Sequence, residues 1–303
     1  MNQQQIWGEE IKQWKKDKNA IILAHNYQIP EIQDIGDFIG DSLDLSKKAA
    51  ETNADIIVFC GVTFMAETAK ILAPKKMVLL PSKHAGCPMA DMIEPHDVLK
   101  LKQEHPGVPV VCYVNSSAEV KAVSDICCTS ANAINVVNSL DSKKIIFIPD
   151  EGLGSYVAEH CSKEVILFPG YCATHYMIKK EEVEKARKLH PNAPVIVHPE
   201  CRKEVRDASD IVAGTGKMIT LIKDHSSNEF IIGTEEGMIY RLETLFPEKK
   251  FYLMSSKLYC VNMKKTTLEH VRNALLHHQH EMMLPEPLME EAGESIKKML
   301  MVG

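Results

Sequence analysis

No stretch of the 303-residue sequence approaches the roughly 20 consecutive apolar residues of a membrane-spanning helix, so no membrane span is expected. Excess positive charge is lacking too. With 35 Lys+Arg against 41 Asp+Glu the net charge is −6, which leaves no basic footprint for nucleic acid or anionic lipid. The start of the chain is Gln-rich and then sets Trp7, Ile11 and Trp14 at helical spacing, without the apolar stretch of a signal peptide. The cytoplasm is therefore the expected compartment. Walker and dinucleotide signatures are missing, Gly214-Thr-Gly216 being too short to count, and no linker or low-complexity segment interrupts the chain. What remains is ordinary for a soluble enzyme-sized chain, 45% hydrophobic and 25% charged, with nine cysteines. Without an export signal those cysteines read as reduced thiols or metal ligands rather than disulfides.

The chain is written three times. Val108-Pro-Val-Val-Cys-Tyr-Val-Asn115 lies over Ala193-Pro-Val-Ile-Val-His-Pro-Glu200, and Val123-Ser-Asp-Ile126 over Ala208-Ser-Asp-Ile211. The first copy is Asn19-Ala-Ile-Ile-Leu-Ala-His-Asn-Tyr27. Each copy closes on an apolar strand followed by a cysteine, and Cys87, Cys172 and Cys260 lie 85 and 88 residues apart. That period is too long for a solenoid unit and suits a small repeated domain. The expected units are 1–91, 92–176 and 177–284, with the C-terminal helix of 285–303 packed on the first.

Within each copy the pattern reads helix, strand, helix, strand, helix, strand. Opening helices are predicted near 5–17, 94–104 and 179–189, first strands at Ile21–Ala24, Val108–Cys112 and Val195–Val197, and second strands at Ile56–Cys60, Lys144–Ile148 and Glu229–Gly233. Strands apolar on both faces and alternating with helices predict short parallel sheets buried between helix layers. The fold class expected is α/β: three pseudo-symmetric α/β/α sandwiches around a central active site.

Ligands of parallel α/β sheets bind beyond the carboxyl ends of the strands. The repeat alignment sets a polar pair there in every copy: His25 with Tyr27, Tyr113 with Asn115, His198 with Glu200. Ser42, Ser130 and Thr215 form a second equivalent set, each ahead of a helical pattern. A hydroxyl there can cap a helix or, with the free backbone donors, hold an anion. The three recurrent cysteines would meet at the pseudo-threefold axis. They suit zinc with water as fourth ligand, or a [4Fe–4S] cluster with one open iron, and the spacing does not choose between them. Cys60, Cys112, Cys127, Cys128, Cys161 and Cys201 do not recur and read as structural thiols.

These residues resemble the quinolinate synthase (NadA) family over nearly the whole chain. The motifs are Ala24-His-Asn-Tyr-Gln28, Gly40-Asp-Ser-Leu43, Phe64-Met-Ala-Glu-Thr-Ala-Lys70, Gly86-Cys-Pro-Met89, Tyr113-Val-Asn115, Asp125-Ile-Cys-Cys-Thr-Ser130, Pro149-Asp150, Gly170-Tyr-Cys172 with His175, His198-Pro-Glu-Cys201 and Thr215-Gly216. Ala173 stands where Pro is common, and Ser255-Ser-Lys-Leu-Tyr259 lacks the extra cysteines some relatives carry before the last ligand.

The resemblance implies condensation of iminosuccinate (iminoaspartate) with dihydroxyacetone phosphate to quinolinate, phosphate and water, on the route to NAD. It implies a [4Fe–4S] cluster on Cys87, Cys172 and Cys260, and an iminosuccinate pocket of His25, Ser42, Tyr113, Val114, Asn115, Ser130, His198, Pro199, Glu200 and Thr215. Glu200 is expected as general base, His198 and His25, titrating near neutrality, as proton shuttles or as donors to an oxyanion, and Tyr27 as a candidate for isomerising the triose. His175 is placed beside the cluster or facing substrate. Transient contact with L-aspartate oxidase, which makes the unstable substrate, fits the same resemblance. A non-catalytic iron–sulfur redox sensor or another cluster-dependent hydro-lyase would share the cysteines, but a sensor has no need of the aligned polar pairs.

Overall fold

The computed structural model describes residues 3–302. Twelve strands form three all-parallel sheets of four, each built in the same order. The first comprises β1 (Ala20–His25), β2 (Phe38–Gly40), β3 (Ile56–Cys60) and β4 (Met77–Leu79), ordered β2-β1-β3-β4. The second comprises β5 (Val110–Tyr113), β6 (Ile126–Cys128), β7 (Lys144–Ile148) and β8 (Glu164–Leu167), ordered β6-β5-β7-β8. The third comprises β9 (Val195–Val197), β10 (Ile211–Val212), β11 (Glu229–Gly233) and β12 (Lys250–Leu253), ordered β10-β9-β11-β12. Helices cover both faces, and β3 and β5 are buried along their whole length, which is why they read as continuous apolar runs. The three-sandwich expectation holds.

One strand per sheet was not foreseen. β2, β6 and β10 run only two or three residues, too short for a hydrophobic pattern to register. An aspartate at the start of each fixes them instead. Asp37, Asp125 and Asp210 stand just ahead of these strands, and each carboxylate accepts from the first strand's N–H: Ile22 (2.8 Å), Val110 (2.8 Å) and Val195 (2.7 Å). Each also pairs with a base from its repeat's opening helix: Lys15 (2.6 Å), Lys102 (3.0 Å) or Arg187 (2.9 Å).

The end of the chain departs from expectation in a second way. The helix Glu286–Val302, expected against the first repeat, lies mainly on the second, beside the helix Ala118–Ala122 and β6. Ser295 Oγ donates to Lys121 O (2.9 Å) and Asn132 Nδ2 to Met299 O (3.4 Å), while Ala292, Ile296 and Met299 join the apolar core. The helix that does cover the first repeat is Leu268–His277, through Val271 and Leu275 against Ile11 and Ile22. The first two sheets share one continuous core, whereas the third has two of its own. No described helix is long and apolar enough to cross a membrane.

Candidate active site

The carboxyl ends of all three sheets open into one cavity of about 260 Å³ of water-accessible space, the volume of roughly nine waters at about 30 Å³ each. Three equivalent sets line it. The strand ends contribute His25, Tyr27, Tyr113, Asn115, His198 and Glu200, the second position Ser42, Ser130 and Thr215, and the third Cys87, Cys172 and Cys260. Val114 and Pro199 do not reach the cavity. Val114 N instead donates to Cys128 O and Pro199 O accepts from Arg206, so both hold the strand-end loops in place.

A single chain of hydrogen bonds crosses the floor and all three repeats. Tyr27 Oη lies 2.5 Å from Thr234 Oγ1, which is 2.9 Å from His175 Nε2. His175 Nδ1 lies 2.7 Å from Glu200 Oε2, and Tyr113 Oη donates to Glu200 Oε1 at 2.7 Å. One proton arrangement satisfies every member: Tyr27 donates to Thr234, Thr234 to His175, and His175 and Tyr113 both to Glu200. Burial pushes the Glu200 carboxyl up, but His198, His175 and Tyr113 outweigh it and bring it down to about 2, so Glu200 is an anion at neutral pH. Burial raises Tyr27 and Tyr113 well above the ordinary phenol range, so both remain donors.

His25 and His198 do not titrate near neutrality as expected. Burial lowers each to about 3 despite the attraction of Glu200. Their Nδ1 atoms accept from the backbone N–H of Tyr27 (3.2 Å) and Glu200 (3.3 Å), which leaves the proton on Nε2. Both rings are therefore neutral at rest, each with an Nε2–H to donate. His198 also stacks on His175 with centroids 4.7 Å apart.

The hydroxyl set does no capping. Asp41 caps the helix Ser42–Glu51, accepting from Leu43 N and Asp44 N, and the same carboxylate takes a backbone bond from Gly216 at the start of the helix Thr215–Asp224. Asp41 thus engages three backbone donors, at two of the three helix ends. Thr215 Oγ1 accepts from Asn26 Nδ2 (3.0 Å), and Asn115 Oδ1 is buried at the cavity without a partner. Asn115 is the unsatisfied amide that a ligand would complete.

Two acids invisible as site residues in the sequence hold the cysteine loops. Asp150 and Glu235 each stand two residues beyond the middle strand of their sheet. Asp150 accepts from Cys172 N (3.1 Å), and Glu235 from Cys260 N (3.0 Å). Glu235 is neutralised by the buried Lys264 at 2.9 Å. Their aligned position was the available signal, but the first repeat carries Val62 there, which hid the pattern. Thr234, Lys264 and Asp41 carried no recurrent signal at all.

The donor set fits a metal centre. All nine cysteines are free, and Cys87, Cys172 and Cys260 are the recurrent thiols on the cavity. Burial pushes Cys87 up to about 12 and raises Cys172 and Cys260, so only a cationic partner would hold them as thiolates. Among the described residues the three sulfur atoms are not gathered within 4.8 Å of one another, whereas Cys172, His175 and Glu200 are. Sulfur ligands of one tetrahedral zinc stand about 3.8 Å apart, so the thiol triangle is wide for a single ion. His175 and Glu200, at 2.7 Å, are hydrogen-bonded rather than co-ligands of one ion, which would sit about 3.3 Å apart. His175 Nδ1 is also 3.3 Å from Cys172 Sγ, which sets it against the thiol as well as facing the cavity.

Comparison with known proteins bears on the same residues. The family model described as quinolinate synthetase A protein (NadA) matches residues 9–301. The quinolinate synthase of Alkaliphilus metalliredigens is 55% identical over 293 residues, covering 96% of this chain and 97% of that one. That of Caldicellulosiruptor bescii is 52% identical over 300 residues, 99% of both chains. Quinolinate synthase 2 of Methanosarcina acetivorans is 49% identical over 296 residues, 98% and 96% of the two chains. With matches of that length spanning all three sheets and every recurrent cysteine, the chain belongs to the quinolinate synthetase A family.

Proposed function

We propose that the chain condenses iminosuccinate with dihydroxyacetone phosphate to give quinolinate, phosphate and water, in the cytoplasm, as a step of NAD synthesis. The observation that carries the reading is the convergence on one cavity of three polar pairs, three hydroxyls and three thiols, each set threefold in position. A [4Fe–4S] cluster on Cys87, Cys172 and Cys260, with one iron free of protein ligands, would supply Lewis acidity for loss of a substrate hydroxyl.

The chain's own residues do the rest. The two carboxylates of iminosuccinate are met by the hydroxyls of Ser42, Ser130 and Thr215 and by the amide of Asn115, whose buried oxygen lacks a partner and whose flip offers an N–H. Val114 and Pro199 keep that set in register through their backbones. The Nε2–H groups of His25 and His198 donate to developing negative charge on oxygen without themselves changing charge. Glu200 takes the proton removed from carbon. Its donors weaken it as a base at rest, and a substrate that draws the Tyr113 hydroxyl away restores its basicity. Tyr27, joined to Thr234 and His175, delivers a proton to the triose oxygen during isomerisation. L-Aspartate oxidase, as the source of iminosuccinate, is the expected transient partner.

Anaerobically reconstituted protein, given iminosuccinate and dihydroxyacetone phosphate, is expected to form quinolinate, and a Cys87→Ala variant to form none. No product from protein with a verified intact cluster would refute the reading.

A further inference from the structure

Eight residues after the first member of each polar pair stands a buried side chain that carries N–H donors: Gln33 (5% exposed), Lys121 (0%) and Arg206 (4%). The residue type differs, but the hydrogen bonding is the same. Gln33 Nε2 donates to Asn26 O (3.1 Å) and Gln28 O (2.9 Å) in its own strand-end loop, and to Gly237 O (3.0 Å) of the third repeat. Lys121 Nζ donates to Ser116 O (2.7 Å) in its own loop and to Phe64 O (3.4 Å) of the first repeat. Arg206 Nη1 donates to Cys201 O (2.7 Å) and Pro199 O (3.5 Å) in its own loop and to Gly152 O (3.0 Å) of the second repeat. Gly237, Phe64 and Gly152 are themselves equivalent, each four residues past the end of its sheet's middle strand, β11, β3 or β7. Every repeat is thus tied to its neighbour around the ring at one corresponding point.

The loops so tied are those that carry Tyr27, Asn115 and Glu200. Their functional bonds run between repeats: Glu200 in the third to Tyr113 and His175 in the second, Tyr27 in the first to Thr234 in the third. The distances along that chain are therefore inter-repeat distances. Two of the clasps lie at those junctions, Arg206 at the second–third and Gln33 at the third–first, while Lys121 ties the first repeat to the second, a junction the chain does not cross. At two junctions the clasped residue is a glycine in direct backbone contact with its neighbour: a Cβ on Gly152 would fall 2.4 Å from Glu200 O, and one on Gly237 2.7 Å from the Tyr27 carbonyl.

We infer that Gln33, Lys121 and Arg206 are one clasp repeated three times, and that Gln33 and Arg206 are positioning residues, setting the inter-repeat spacing on which the Tyr27–Thr234–His175–Glu200–Tyr113 chain depends. None of them lines the cavity, so they act through the loops and not on substrate. A general stabilising role would also follow from three buried donors, and the two roles part experimentally. The kinetic arm rests on the function proposed above; the exchange arm does not.

The test uses full-length, anaerobically reconstituted protein carrying Gln33→Met, Arg206→Met or Arg206→Lys, read by hydrogen–deuterium exchange and by steady-state kinetics. Gln33→Met is expected to speed exchange at residues 26–29 and 236–239 while sparing the second–third junction. It is also expected to lower kcat by about 10- to 100-fold with KM little changed, as for a misplacement approaching 1 Å. Arg206→Met should do the same at 150–154 and 198–202, with Arg206→Lys close to wild type, since the second repeat already uses lysine there. Removing Arg206 leaves Glu159 short of a partner (3.0 Å), and if that variant does not fold the neutral Gln33→Met decides alone. Exchange raised evenly over the whole chain, or a cluster-loaded Gln33→Met variant turning over at the wild-type rate, would overturn the inference. If the wild type makes no quinolinate, the proposed activity fails while the exchange pattern still decides whether the clasps exist.

Discussion

Replacing Gly152 by alanine adds one methyl group, and the structure says where it goes. It would lie 2.4 Å from Glu200 O and 2.9 Å from Glu200 C, both backbone atoms that no rotamer change can move aside. Ordinary carbon contacts lie near 3.5 Å, so the two strand ends must part by about 1 Å. Overpacking of this kind costs about 1–3 kcal/mol. For a chain of this size that is a fall in melting temperature of a few degrees, at roughly 2 °C per kcal/mol. The catalytic effect should be larger in proportion. Glu200 is moved relative to Tyr113 and His175, and a 1 Å misplacement of reacting groups costs on the order of 100-fold in rate. The assay is initial-rate quinolinate formation per intact cluster, beside a circular-dichroism melt. Gly8→Ala is the control, because its Cβ meets nothing within 4 Å, and the helix it sits in should gain about 0.5–1 kcal/mol. A Gly152→Ala enzyme that melts normally and turns over within twofold of wild type would refute the reasoning, since the methyl group would then have been absorbed without moving Glu200.

Three further predictions follow from other parts of the structure. Thr234→Val keeps the shape of the site and cuts the link between Tyr27 and His175, so kcat should fall by about 10- to 100-fold with KM little altered; an unchanged kcat would mean that the chain carries no proton. Burial pushes the Asp210 carboxyl up, but Arg187 and the Val195 N–H outweigh it and leave it below the usual carboxylate range. Its charge therefore stabilises the fold above the unfolded value near pH 4 and stops doing so as pH falls through the depressed folded value. Asp210→Asn should accordingly lower the melting temperature at pH 7, by an amount worth under about 1 kcal/mol for so exposed a pair, and not at pH 2; an equal loss at both would remove the charge from the account. Iron chelation should abolish both visible absorbance and quinolinate formation and restore neither on adding zinc; activity with zinc alone would exclude the cluster.

The sequence carried the repeat, the parallel sheets and all three recurrent positions of the cavity because each is signalled by a pattern that covers several residues. Apolar runs at 56–60, 144–148 and 229–233 fall on β3, β7 and β11 to the residue. What escaped was set by single contacts. β2, β6 and β10 are too short to pattern and depend on one aspartate each. The closing helix has the same amphipathic stripe whichever sheet it covers, and the bonds of Ser295 and Met299 to the second repeat are single contacts that the stripe does not encode. The state of His25 and His198 could not be foreseen either. Histidine is near neutrality in water, and only burial and the Tyr27 and Glu200 amides make both rings neutral donors at rest.

Divergence among the three repeats follows a rule that separates scaffold from chemistry. Where a position serves the backbone, the function persists whether the residue is kept, as with Asp37, Asp125 and Asp210 at the short strands, or changed, as with Gln33, Lys121 and Arg206 at the junctions. Where a position faces the cavity, the function itself changes. The second members of the polar pairs are a phenol, an amide and a carboxylate, so an anion, a donor and a neutral hydrogen-bonding group meet the ligand from three directions. The break is sharpest in the first repeat, with Val62 in place of Asp150 and Glu235, and Phe64 in place of the two glycines. Asn115 lines the same cavity as Val62 and Phe64, and its amide oxygen is left buried and unpaired there. A symmetric site would have bound a symmetric ligand. With a phenol, an unpaired amide and a carboxylate at equivalent points, the cavity is shaped for a ligand whose two ends differ.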